Sequence, residues 1–471
     1  MPHTAPIEHV IVLMLENRSF DHIFGFRQGV EGLKGTEVNL LDPSKPESTS
    51  NPAFYATAGA NFATESGQGP GHSFAAANWQ LCNNKTGPSK QFPAKNNGFV
   101  KNYREELIHD RVGSPTSDEI GSVMKAFFPG RLPSINALAD EFCVCDHWFS
   151  EVPGPTQPNR LFMHSATSAG YIYNDWKHEF EQRTIYNSLE DAGKTWAVYD
   201  FDLNEVMNFS QVNQKKANFR RFETDFISEA ADGKLPTYSF IIPRMNNGKE
   251  PANDQHAPND VRFGDNLIAD VYDALVKNDA AWKKSVFILT YDEHGGYYDH
   301  IGPPLQKIPN PDGKTAPLPK DPKWVTPFAF DRLGFRVPAV IASPWVVKGS
   351  IDSSQYQHTS VLATLKKLFG LKTFLTKRDA SAQPFDALFN GLRTPRDNYP
   401  AKLPRIALPP LPARGSALHP ANQPLDTMQQ EWLHGVHVMA ARKSGGKPLG
   451  PTPTTQGEVA PFVRHLYQKH I

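Results

Sequence analysis

The stretch HVIVLMLENRSFDHIFG (residues 9–25) decides the fold. Residues 10–15 form an unbroken apolar run, the pattern of a strand covered on both faces. The run stops at once on Glu16 and Asn17. A second stretch, VFILTYDEHGGYYDH (286–300), repeats the design: an apolar run, then Asp292 and Glu293. In α/β sheets, ligands bind beyond the carboxyl ends of the strands. Side chains alternate faces along a strand, but just past its end neighbouring side chains can both turn inward. Either acidic pair alone could simply end a strand in water. Two such pairs point to one site built from oxygen ligands. Oxygen donors suit a hard cation, Mg²⁺, Ca²⁺ or Mn²⁺, and the residues do not distinguish among these.

Further strand-like runs lie at 195–199, 238–242 and 337–343. Helical spacing appears between them in 264–282, where Leu267, Ile268, Val271 and Leu275 recur. TSVLATLKKLFG (359–370) offers Thr359 or Ser360 as N-cap and Gly370 just past the end. SDEIGSVMKAFF (117–128) reads as a helix with Asp118 and Glu119 in its first turn. Strands alternating with helices predict an α/β fold: a mostly parallel central sheet with helices on both faces. Residues 27–100 and the proline-dense 302–328 break the pattern and read as long excursions forming the mouth of the site. The reading divides the chain at 395. Residues 1–395 form the main domain, and 396–471 hold a proline-rich segment and a helix near 428–441 that packs back on the core.

A third piece is GPTQPNRLF (154–162), in which Thr156 stands between Pro155 and Pro158. The prolines stiffen the backbone around a hydroxyl. A turn would explain that arrangement by itself. A hydroxyl held beside a divalent cation, however, can be activated as a nucleophile.

With these residues in place, the chain resembles the bacterial phospholipase C and acid phosphatase phosphoesterase family, which includes the plant non-specific phospholipases C. ENRSFDHIFG (16–25), TQPNR (156–160), DEHGGYYDHIGPP (292–304) and GFRVPAVIASPW (334–345) carry the likeness, in the family's order. The resemblance implies an alkaline-phosphatase-like fold. It implies that Glu16, Asn17, Asp292 and Glu293 hold a metal ion, and that Thr156 is both ligand and nucleophile. His72 (GPGHSF) and His256 (NDQHAP) resemble histidines that the family places near the phosphate, and the chemistry of imidazole suits general acid work. His300 and His358 are read as structural. Arg18 and Arg160 either clamp oxyanions or pair with local acids.

The bulk numbers exclude other classes. Lys+Arg and Asp+Glu both total 49, so the formal charge is zero and nothing favours nucleic acid or an anionic membrane surface. Cys82, Cys143 and Cys145 are odd in number and contain no CxxC pair, so they read as buried thiols rather than a disulfide framework or a zinc site. No apolar run approaches the roughly 20 residues of a membrane span, and no signal peptide is readable. The expected location is cytoplasmic, or exported if a leader was removed or another route is used.

The expected function is a metal-dependent phosphoric ester hydrolase, foremost a phospholipase C acting through a phosphothreonine on a glycerophospholipid, with transient contact at a membrane surface. The alternatives are an acid phosphatase acting on small phosphate esters and a non-catalytic binding protein on the same fold. The sequence leaves the oligomeric state open.

Overall fold

The computed structural model describes residues 5–469 apart from 65, 111–113, 249, 317–327, 417–418, 426, 446–448 and 450. Part of the 302–328 excursion therefore lies outside the described residues.

The central sheet has eight strands: β1 (His9–Leu15), β2 (Cys143–Cys145), β3 (Trp196–Asp200), β4 (Phe219–Arg221), β5 (Tyr238–Ile241), β6 (Ser285–Tyr291), β7 (Ala339–Ala342) and β8 (Ile351–Asp352). Their spatial order is β8-β2-β7-β6-β1-β5-β3-β4. Neighbours run parallel except at β7, which is antiparallel to both β6 and β2. The two runs that opened the sequence reading, β1 and β6, lie side by side at the centre. Every residue of β6, and every residue of β1 after His9, is buried, which is why neither strand alternates polar with apolar. The architecture is mixed α/β with a large, mostly parallel sheet.

The helices that frame the sheet include α1 (Phe20–Phe24), α2 (Phe74–Cys82), α3 (Thr156–Ser165), α4 (Val261–Val276), α5 (His358–Phe369), α6 (Thr427–Lys443) and α7 (Gln456–Lys469). α4 begins at Asp260, whose side chain caps Arg262 N, and buries Leu267, Ile268, Val271 and Leu275 as their spacing requires. Gly370 ends α5 in the left-handed region at φ +64°, a conformation glycine adopts freely. The N-cap of α5 is Gln357, which shares a capping box with Ser360, so neither Thr359 nor Ser360 caps the helix and both lie within its first turn.

Three other expectations are corrected. The helix read across 117–128 stops at Gly121. Beyond it, His22 Nδ1 bonds Lys125 O at 2.9 Å and Phe127 N donates to His22 O at 2.9 Å, and these tertiary bonds replace the helical ladder. The Pro-Thr-x-Pro stretch is the start of α3 rather than a turn. The 27–100 region is more regular than its composition suggests. It holds α2, the start of a helix at Phe99–Asp110 and a small antiparallel ladder pairing Val38–Leu40 with Ala53–Tyr55. The three cysteines are buried free thiols, as read.

At the C-terminal end, α6 lays Trp432 on Trp176 with ring centroids 4.3 Å apart and planes 10° from parallel. Trp432, Val436 and Met439 belong to the same apolar cluster as the sheet.

Candidate active site

β1 and β6 end flush, Leu15 pairing with Tyr291 at the last position of the ladder. Glu16 and Asp292 therefore leave the sheet side by side. Asp292 N donates to Leu15 O at 3.1 Å. Asp292 Oδ1 accepts from Asn17 N at 3.0 Å and from Glu293 N at 2.7 Å, so one carboxylate gathers both motifs. Asn17 turns the chain through the left-handed region at φ +57°, which Asn tolerates better than most residues. Opposite it, Gly295 sits at φ +65° with the place of a Cβ only 2.1 Å from Asn17 O. Only glycine allows the second motif to press this closely on the first.

Thr156 opens α3 behind Pro155, with its hydroxyl 3.4 Å from Glu16 Oε2 and 3.4 Å from Asn17 Oδ1. Asn159 pins the turn: its Nδ2 donates to Gly154 O at 3.0 Å and Pro155 O at 3.1 Å, and its Oδ1 accepts from Val152 N at 3.0 Å. A hydroxyl at a helix N-terminus lies where backbone N–H groups and the helix dipole favour an anion. The structure thus brings Glu16, Asn17, Thr156, Asp292 and Glu293 into one cluster. These residues lie deeper than a surface strand end: Glu16, Asp292 and Glu293 are 0% exposed and Asn17 and Thr156 1%.

Such burial makes the charge balance informative. Arg160, one turn into α3, is the counter-charge, at 2.7 Å from Glu16, 2.9 Å from Glu205 and 3.5 Å from Asp292. It also donates to Met14 O at 3.1 Å, so it pairs with local acids rather than reaching for substrate. Arg160 overrides the effect of burial on Glu205 and holds that carboxyl down at about 2. Its charge does not suffice for the rest. Burial, then Asp292, pushes Glu16 well above the usual carboxyl range despite Arg160. Burial pushes Glu293 up to about 8, with His72 opposing and Asp292 adding. Asp292 Oδ2 and Glu293 Oε1 are buried without a hydrogen-bond partner. Buried acids in excess, with orphaned oxygens, fit a hard divalent cation held by this donor set.

The two histidines meet at the same place. His72, half-buried, brings Nε2 to 3.3 Å from Asn17 Nδ2 while its Nδ1 faces Pro70 O at 3.0 Å. His256 stands edge-on to it with ring centroids 5.6 Å apart, and its Nε2 is buried without a partner. Burial, then the neighbouring His72, pulls His256 down to about 3. Arg18 shapes this corner from behind. It donates to Gln255 O at 2.9 and 2.6 Å, holding Gln255 at φ +72°, so it clamps a carbonyl rather than an oxyanion. His358, whose Nδ1 accepts from Trp148 Nε1 at 3.2 Å, has its Nε2 2.7 Å from Asp292 O and anchors that strand end. His300 bonds Asp21 at 2.6 Å. Both play the structural part read for them.

Asp21, Asp299 and His300 place ligand atoms within 4.8 Å of one another. Arg336 fills that cluster, 3.0 Å from Asp21 and 2.9 Å from Asp299, and the group is an ion-pair knot tying α1 to the loop after β6. Sequence reading missed Glu205 and Asp254, both of which act on Glu16. They lie well beyond the ends of β3 (Trp196–Asp200) and β5 (Tyr238–Ile241) rather than directly after them, so no strand-then-acid signal marked them.

The chain is 38% identical over 425 residues to non-specific phospholipase C3 of Arabidopsis thaliana, covering 85% of this chain and 77% of that one. It is 29% identical over 455 residues to phospholipase C B of Mycobacterium tuberculosis, covering 87% and 83%. Among solved structures it resembles a protein of the alkaline phosphatase superfamily from Vibrio parahaemolyticus over 53% of this chain and 63% of that one. The TM-score there is 0.31 and the identity 13%, too low to establish a shared fold. The sequence matches make the chain a phosphoric ester hydrolase. It belongs to the phosphoesterase family, whose model matches residues 7–372.

Proposed function

We propose that the protein is a metal-dependent phospholipase C that cleaves a glycerophospholipid to diacylglycerol and a phosphorylated head group. The observation that carries the reading is the Thr156 hydroxyl at the head of α3, 3.4 Å from both Glu16 Oε2 and Asn17 Oδ1. The relatives named phospholipase C support the substrate class.

A divalent cation held by Glu16, Asn17, Thr156, Asp292 and Glu293 would neutralise phosphoryl charge and lower the pKa of the Thr156 hydroxyl. The Thr156 hydroxyl, its pKa lowered, gives up its proton to solvent; its oxygen attacks phosphorus in line, and the bond from phosphorus to the diacylglycerol oxygen breaks. The N-terminus of α3 favours the anionic phosphoryl group at that point. His256, whose Nε2 has no other partner, delivers a proton to the departing alkoxide. The substrate's negative charge favours that proton, opposing the burial and the His72 charge that otherwise keep the ring neutral. His72, bonded to Asn17, orients that amide and faces the same space. Water then cleaves the phosphothreonine and regenerates the hydroxyl.

Lipid contact in this reading is transient. Among the described residues no helix is long and apolar enough to cross a membrane. Exposed side chains such as Leu305 (62%) and Tyr173 (45%) are available to touch a lipid surface. The test is product analysis with phosphatidylcholine. Diacylglycerol and phosphocholine are expected. Release of inorganic phosphate from small monoesters, with the diester untouched, would replace this reading with that of a phosphatase.

A further inference from the structure

Gln80 is fully buried near the end of α2, the helix that begins directly after His72 and its N-cap Ser73. It stands two helical turns after Ser73, so its amide lies on the same face of α2 as the cap. From there it reaches back: Gln80 Nε2 donates to Gly71 O at 2.7 Å. The other amide hydrogen goes to Asn102 Oδ1 at 2.8 Å, on the helix Phe99–Asp110. With both hydrogens used, Oε1 is left to accept, and His294 Nε2 donates to it at 2.7 Å. One side chain therefore joins the carbonyl that precedes His72 to the residue that follows Glu293.

The His294 end bears on a metal donor. His294 Nδ1 stands 3.1 Å from Glu293 Oε2, and Gly295 N donates to the same oxygen at 2.8 Å. With Oε2 engaged, Glu293 Oε1 is the oxygen left without a partner. The His294 ring is itself fixed, because Phe335 stacks on it at 4.6 Å with planes 28° apart. The Gly71 end bears on His72, whose Nε2 lies 3.3 Å from Asn17 Nδ2. Between the two ends the loops press together. Gly296 stands at φ +73°, and a Cβ there would lie 2.4 Å from Gly71 O. The loop after β6 and the loop before α2 have no slack between them, and Gln80 is hydrogen-bonded to both.

We infer that Gln80 is a positioning residue of the site that acts in two directions. Through Gly71 it sets His72 against Asn17; through His294 it holds Glu293 with Oε1 free for the cation. The inference rests on the proposed roles of His72 and Glu293 and adds a residue that stands behind both. A buried amide with every group satisfied is stiff, because each hydrogen bond lost leaves a desolvated group unpaired.

The test replaces Gln80 by methionine, which keeps the length and removes the polar atoms. Calorimetric titration with Mn²⁺ should show about tenfold weaker binding than wild type, the scale on which the supports of metal ligands act. At saturating Mn²⁺ the kcat for phosphatidylcholine should fall about tenfold with KM little changed. The two directions separate in the Gln80→Met, His72→Ala double variant. Its kcat should be no lower than that of His72→Ala alone, since His72 is the group that Gln80 sets, while its Mn²⁺ affinity should stay as weak as in Gln80→Met. Losses in kcat that multiply would overturn the link to His72. A His72→Ala variant that turns over like wild type would overturn that link too, and would remove His72 from the mechanism. Unchanged Mn²⁺ affinity in Gln80→Met would overturn the link to Glu293. The Mn²⁺ titration needs no substrate, so it judges this link even if phosphatidylcholine is not cleaved. Should Gln80→Met not fold, Asn102→Ala removes one partner of the same amide and should move both readouts the same way by a smaller factor; wild-type values there would overturn the inference.

Discussion

At the scale of single residues, the site is an unbalanced charge cluster before it is anything else. Glu16, Asp292 and Glu293 are fully buried, and the nearest cation, Arg160, is shared with Glu205. This changes what a substitution does. Residues beyond a strand end would be expected to leave stability alone. Here the buried acids repel one another, so Asp292→Asn should stabilise the metal-free protein, on the order of 1 kcal/mol, while lowering metal occupancy. The Asn side chain keeps an oxygen to accept from Asn17 N and Glu293 N. Thermal melts in chelator and elemental analysis after metal loading check both halves. Full occupancy in the Asp292→Asn, Glu16→Gln double variant would end the metal assignment. The donor residues were legible in the sequence because each pair follows an unbroken apolar run. Arg160 was visible only as an undecided arginine, because pairing across 144 positions to Glu16 leaves no local trace.

At the scale of elements, the long buried strands were readable and the short ones were not. β1 and β6 announced themselves by continuous apolar runs. β2, β4 and β8 are two or three residues long, too short to carry any period, and exist because a neighbouring strand offers them hydrogen bonds. The start of α3 was open to reading as a turn because Pro158 lies inside its first turn, where a missing N–H costs nothing. What locks α1 to the loop after β6 is the knot of Asp21, Asp299, His300 and Arg336. Burial alone would lower His300, but the hydrogen bond and charge of Asp21 hold its imidazole above the ordinary value. A raised histidine contributes its stability in full below the unfolded pKa and loses it as pH climbs through the folded one. The gap in melting temperature between wild type and His300→Gln should therefore be widest near about pH 6 and shrink toward about pH 9. A gap that widens with pH would show that the imidazole is not held protonated by Asp21.

At the scale of the molecule, α6 packs against the segment that hydrogen-bonds Gln157 beside Thr156. Trp432 of α6 stacks on Trp176, next to Asp175, and Gly435 lets the helix lie against that backbone. A Cβ on Gly435 would stand 2.4 Å from the Trp176 carbonyl carbon. Gly435→Ala should therefore push α6 off residue 176 and destabilise the protein by roughly 1–3 kcal/mol, the usual scale of overpacking. Differential scanning calorimetry measures it; an unchanged melting temperature would mean that α6 does not pack there. The helix itself was readable, but its seat on Trp176 was not, since nothing in either segment encodes the contact locally.

If the Thr156 hydroxyl is the attacking group, turnover of phosphatidylcholine by Thr156→Val, with metal content checked, must collapse. Valine keeps the shape and removes the oxygen. A loss of roughly a thousandfold or more is expected, on the scale of removing a covalent nucleophile, with Thr156→Ser retaining a measurable part. Near-wild-type turnover by the valine variant would contradict it, leaving water as the attacking group and no phosphothreonine on the path.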